Sequence, residues 1–265
     1  ISGGSMFASF FNLKINAKFW ANTFLDLLLP KGYGFHSTLK GKPSAKDVLK
    51  AKKTLNKANK LQWKINKDGI KSRNYSSEED YRSHQSAKLD LIIGKGHGWK
   101  KKQILEYRLK FKSRFKELQS ILDVNSKCLC LGARQGTEVL VLRELGFKNS
   151  IGIDLNPGPN NPLVNVGDFM NLEFPDNNFD FIYSNCLDHA LNLDDFFREQ
   201  VRVLKVTGLF IIDISTSEDA GHFESQEWER PEYVLIKSLK YFKNIKFLKR
   251  EKRWFWVLIS DPIKN

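Results

Sequence analysis

Cysteine is scarce in this chain, with three in 265 residues. That excludes a disulfide framework and points to a reducing, cytoplasmic setting. Two of the three, Cys128 and Cys130, share one face of a short apolar stretch with no His or Cys cluster beside them. Packing is therefore expected of them, and no metal site. Long apolar runs are lacking too. The aromatic-rich start, Met6 to Leu29, is broken by Lys14, Lys18 and Asp26, short of the ~18 residues that a membrane span requires. It also lacks the charged start and cleavage pattern of a secretory signal. This segment is expected to pack as a helix, with a place in a membrane interface as the other reading. Ile1–Ser5 reads as an appended leader ahead of Met6.

Positive charge, by contrast, is plentiful and unevenly placed. Residues 1–120 hold 26 Lys and Arg against 9 Asp and Glu, net +17. Residues 121–265 hold 17 against 21, net −4, so the whole chain carries +13. A basic half implies an anionic partner, a membrane surface or nucleic acid, although solvated lysine-rich faces produce the same composition. Ser44-Ala45-Lys46-Asp47 reads as a helix start of the capping-box kind. Val48, Ala51, Leu55 and Ala58 then recur at helical spacing among Lys50, Lys52, Lys53, Lys57 and Lys60, the pattern of a basic amphipathic helix. No aromatic-studded RNA-binding strand accompanies it. Lys71 to Leu91 is polar and reads as linker, or as a cover for a site downstream through Tyr81, His84 and Gln85. Two regions follow: a mainly helical basic N-terminal extension over 6–103, and an α/β domain over 104–265.

The domain is organised around Lys127 to Asp154. An apolar strand, Cys128 to Leu131, breaks at Gly132; Gly136 follows, and a helical pattern begins near Gln135. Val139, Leu142 and Leu145 keep one face apolar, Gly146 stops the helix, and a second strand ends on Asp154. Strand, glycine-bearing turn, helix, strand and acid make the first unit of a nucleotide-binding α/β fold. Leu163 to Val166, Phe179 to Asn185 and Leu209 to Asp213 supply three further strands, the last entered through a turn at Thr207-Gly208. Phe242 to Lys249 and Trp254 to Ser260 read as a closing hairpin.

This order resembles the class I S-adenosylmethionine-dependent methyltransferases, especially their small-molecule and glycan-modifying members, over Leu122 to Ser260. The resemblance implies a Rossmann-like doubly wound sheet with an antiparallel last strand, and S-adenosyl-L-methionine as cofactor. By the same likeness Gly132, Ala133, Arg134 and Gly136 form the cofactor loop, and Asp154 with Leu155 meets the ribose. Asp168 and Phe169 would meet adenine, while Asn185 and Gln85 complete the binding set. Two positions depart from the family pattern. Cys130 stands where an acid receives the methionine ammonium, and Arg134 stands where the middle glycine sits, so Arg134 or helix-start N–H groups would take the carboxylate.

Asp188 and His189 form an adjacent acid–base pair just beyond the fourth strand, where ligands of such sheets bind. His189 is the candidate general base, oriented by Asp188 and titrating near pH 6–7. The expected reaction is in-line O-methylation of a sugar or glycan hydroxyl. The alternatives are an RNA methyltransferase steered by the basic half, and a non-catalytic interaction module of the same fold. Asn185-Cys186-Leu187-Asp188 lacks the Asn/Asp-Pro-Pro-Tyr/Phe motif of enzymes that methylate base amino groups.

Overall fold

The computed structural model describes residues 44–94, 101–134, 136–157, 161–216 and 221–264. The aromatic-rich start therefore lies outside the described residues. The N-terminal region contributes α1 (Ala45–Asn59), β1 (Trp63–Ile65), β2 (Lys71–Arg73), α2 (Glu78–Gly94) and α3 (Lys101–Phe115). Next come β3 (Cys128–Leu131), α4 (Thr137–Glu144), β4 (Ser150–Asp154), β5 (Val164–Val166) and β6 (Phe179–Ser184). The rest of the chain forms α5 (Leu193–Val203), β7 (Leu204–Ser215), β8 (Gln226–Glu227), α6 (Pro231–Ser238), β9 (Phe242–Glu251) and β10 (Trp254–Pro262).

The main sheet has the order β5-β4-β3-β6-β7-β10-β9. Its first five strands run parallel, and β10 pairs antiparallel with both β7 and β9. The doubly wound sheet with an antiparallel last strand is therefore present. Parallel strands are covered on both faces, so β3 is buried along its whole length. Alternation sends Leu129 and Leu131 to a core with Ile182, Phe196 and Phe210. Cys128 and Cys130 face the opposite core with Val139, Phe181 and Tyr183. Each fully buried side chain of this size stabilises by roughly 1.5–3 kcal/mol. Gly152 of β4 lets the layers meet, since a Cβ there would lie 2.7 Å from that of Ala133. The turn expected at Thr207-Gly208 is absorbed into the continuous strand β7.

The N-terminal region is stitched into the domain. β2 pairs with β8, which follows β7 in sequence, and β1, β2 and β8 form a second small sheet. The capping box of α1 is formed: Asp47 N–H donates to Ser44 Oγ at 3.2 Å, and Ser44 N–H to Asp47 Oδ2 at 3.1 Å. The polar stretch after Lys71 becomes β2 and α2. Its helical stripe is Tyr81, His84, Ala87 and Leu91, all buried, and the histidine disguised it as linker. Among the described residues no helix is long and apolar enough to cross a membrane.

Candidate active site

The parallel strands β3, β4 and β6 end on one edge of the sheet, and the loops beyond them form the site. After β3 the chain takes three positive φ angles: 60° at Gly132, 40° at Arg134 and 80° at Gly136. Arg134 holds a conformation that costs a non-glycine residue about 1–3 kcal/mol. Asp154 at the tip of β4 holds it there. Arg134 N–H donates to Asp154 Oδ2 at 3.0 Å, and Asn156 N–H to Oδ1 at 2.9 Å. A Cβ on Gly132 would lie 2.4 Å from Cys186 Sγ, so only glycine fits between the loop and the turn after β6.

Two hollows flank this loop. Tyr81 and Gln85 of α2 close the first, over Asp154, Leu155 and Phe169, down to about 50 Å³. The second holds about 680 Å³ and reaches from Gly132, Ala133 and Arg134 to Asn185, Asp213 and Trp254. Small-molecule sites span roughly 300–1,000 Å³. Lys88 of α2 borders both hollows.

At the end of β6, His189 Nδ1 lies 3.1 Å from the Phe223 carbonyl, which only accepts. The proton therefore sits on Nδ1. Nε2 keeps its lone pair and takes a hydrogen from Lys88 Nζ at 3.1 Å. Burial, with Lys88 and Arg134 nearby, holds the imidazole pKa well below 6.5, so the ring is neutral. Burial also lowers Lys88 to about 8, with Arg134 adding to the shift and Asp188 and Glu224 opposing it. Asp188 rises to about 7 through burial and the nearby Glu224. The sequence reading placed no ligand cluster here, yet ligand atoms of Asp188, His189 and Glu224 all lie within 4.8 Å of one another.

Deeper in the large cavity, Arg114 of α3 pairs with Asp213 Oδ2, and Tyr183 OH donates to the same oxygen at 3.0 Å. Asp213 Oδ1 is buried without a hydrogen-bond partner. Beside the glycine loop, Glu138 of α4 accepts from Asn185 Nδ2 at 3.3 Å.

Several expectations need correction. The Asp168 carboxylate does not line either hollow. Arg82 Nη2 and Met170 N–H, each at 2.8 Å, occupy its oxygens, because α2 brings an arginine that the sequence reading assigned to linker. Gly136 borders neither hollow; a Cβ there would lie 2.7 Å from Leu163 Cβ, so it serves packing. Asp188 does not orient the imidazole: its Oδ1 is 3.9 Å from Nε2, and the Phe223 carbonyl does that work. His189 does not titrate near 6–7, since burial disfavours its cation. Gln85 lines the small cleft, with Nε2 donating to Phe223 O and Ser225 Oγ. Lys88, Glu138 and Glu224 were missed. An acid beside the apolar run Val139–Leu142 was the available signal for Glu138; Lys88 and Glu224 sit in polar stretches that carry none.

Residues 129–212, from β3 into β7, match the family model described as "Methyltransferase domain". Over those residues the chain resembles a methyltransferase domain. Over 134 residues it is 28% identical to phosphoethanolamine N-methyltransferase of Plasmodium falciparum. That match covers 45% of this chain and 48% of the relative, so the chain spans about half the relative's length. Among solved structures it resembles the Burkholderia thailandensis 1,6-didemethyltoxoflavin-N1-methyltransferase with bound S-adenosylhomocysteine. There the TM-score is 0.52 at 15% identity, covering 74% of this chain and 95% of the other, a likeness of fold alone.

The residues of this α/β domain fit S-adenosylmethionine, the cofactor that the resemblance implies. Asp154 spends one lone pair of each oxygen on the loop and keeps others for ribose hydroxyls. Leu155 and Phe169 line the small hollow and would give adenine apolar walls. The loop N–H groups of Ala133, Arg134 and Gly136 donate to Ile153 O, Asp154 Oδ2 and Ala133 O, so Arg134, which lines both hollows, is the cation that would meet a carboxylate there.

Proposed function

We propose that the chain is an S-adenosylmethionine-dependent methyltransferase that O-methylates a small polar acceptor of the sugar type. The observation that carries the reading is the lone pair of His189 Nε2 on the wall of a 680 Å³ cavity. When bound, the cofactor supplies an electrophilic methyl group on a sulfonium. The protein's part is to align an acceptor oxygen, a contribution of up to ~7–11 kcal/mol in well-oriented cases. It must also remove the proton, worth about 10²–10⁴-fold. The acceptor hydroxyl takes the place of Lys88 as donor to Nε2, and its proton passes to that nitrogen. The Phe223 carbonyl keeps the ring oriented, and Asp188 and Glu224 favour the imidazolium.

A phosphorylated amine is the second reading. The likeness to the Plasmodium enzyme favours it, as do Lys110 and Arg253 on the cavity wall. The basic N-terminal half, on either reading, contacts an anionic partner, a membrane surface before nucleic acid.

The test pairs binding with turnover. S-adenosylhomocysteine at about 100 times its dissociation constant should stabilise the fold by ~2.7 kcal/mol, and Asp154→Ala should shrink that shift. Labelled methyl transfer is then measured against sugars, phosphoethanolamine and RNA. Sugar methylation that drops about 10²-fold in His189→Ala supports the first reading. Transfer to phosphoethanolamine alone establishes the second, and no melting shift at millimolar ligand sinks both.

A further inference from the structure

The amino-acid end of the cofactor carries an ammonium as well as a carboxylate, and among the described residues β3 ends without an acid to hold it. Cys130 is fully buried, and burial raises its thiol well above 9, so it is neutral. Four acids border the large cavity. Asp213 is committed to Arg114 and Tyr183. Asp188 and Glu224 belong with Lys88 and His189 at the other wall. Glu138 alone of these stands at the glycine loop. It is 8% exposed, and among the described residues its side chain is hydrogen-bonded by the neutral amide of Asn185. A carboxylate this buried with a neutral partner is expensive unless a cation joins it.

We propose that Glu138, presented by α4 and braced by Asn185, is the residue that receives the ammonium of the bound cofactor. The inference rests on the methyltransferase reading above. The charged and titratable groups facing Glu138 are Arg134 and Asp154 from the loops, Cys130 from β3, Tyr183 from β6 and Cys186 beyond it. Burial raises the Glu138 carboxyl to about 7, with Arg134 lowering it and Asp154 raising it. Near neutral pH a fraction of the free protein therefore holds this carboxyl protonated. Binding an ammonium requires the carboxylate, so the carboxyl proton leaves to solvent as the ligand's ammonium stays charged.

The test is titration calorimetry of S-adenosylhomocysteine, and of its analogue lacking the α-amino group, into wild type and the near-isosteric Glu138→Gln. Buffers of different ionisation enthalpy count the protons released. Wild type should release more protons than Glu138→Gln near pH 7. Glu138→Gln should bind S-adenosylhomocysteine about 10- to 100-fold more weakly. It should also bind the two ligands equally, whereas wild type prefers the amine. Thermal unfolding of the variant checks that it is folded. Equal affinity of wild type and Glu138→Gln, or a preference for the amine that survives in Glu138→Gln, overturns the proposal. Wild type that binds neither ligand overturns the methyltransferase reading itself.

Discussion

Two histidines, His84 buried and His189 half-buried, carry opposite tautomers, and each is dictated by a carbonyl. His84 Nε2 lies 2.9 Å from His222 O, so that nitrogen bears the proton, and Tyr75 OH donates to Nδ1 at 2.7 Å. His189 has the reverse arrangement, through Phe223 O. Nitrogen-15 spectra at pH 6 should therefore show both rings neutral, one of each tautomer. Burial lowers His84 from 6.5 to about 4. Between those values the unfolded chain binds more protons than the folded one, so stability rises with pH across that window. The stabilising share of His84 is complete above about 6.5 and lost as pH falls through about 4, ~3 kcal/mol at most. Urea unfolding at pH 7.5, 6 and 4.5 should give a flatter curve for His84→Gln than for wild type. Parallel curves would mean that this imidazole protonates in the fold at its ordinary value.

At the scale of elements, the small sheet ties the N-terminal helices to the catalytic edge, and Arg73 of β2 is its knot. Buried to 5% exposure, it donates to three carbonyls: Ala58 O at 2.8 Å, Glu224 O at 2.9 Å and Gly221 O at 3.1 Å. One bond holds the end of α1, and two hold the segment that carries Glu224 to the cavity. Its guanidinium also lies over the Trp63 ring at 4.5 Å. Arg73→Ala leaves three carbonyls short of a charged donor and should cost about 3 kcal/mol or more in urea unfolding. Arg73→Lys should recover only a fraction, since an ammonium cannot match the planar fork. Full recovery by lysine would show that charge alone matters at this position.

For the molecule as a whole, the uneven charge sets what it meets. Lys50, Lys52 and Lys53 of α1 are exposed, whereas Lys57 is tied to Asp80 of α2 at 2.7 Å. Reversing Lys50 and Lys53 to Glu should weaken binding to anionic vesicles in a salt-sensitive way, each charge being worth about 1 kcal/mol near such a surface. Affinity for S-adenosylhomocysteine should stay unchanged. Salt-dependent binding to RNA but not to vesicles would exchange the preferred partner, and binding to neither would leave these lysines as solvated faces.

The β3–Gly132–α4–β4–Asp154 unit, the strand order's raw material and the closing hairpin were legible from the chain alone. Their signals are local: apolar runs of strand length, glycines at a turn, an acid at a strand tip. The side chains that complete the cavity were not. Lys88 meets His189 across 101 residues, Arg82 meets Asp168 across 86, and Arg114 meets Asp213 across 99. Contacts of that separation leave no periodicity in sequence. Nor could residue types say that His189 would be held neutral, because the degree to which a group is shut away from water exists only once α2 and the 221–227 segment close over the sheet.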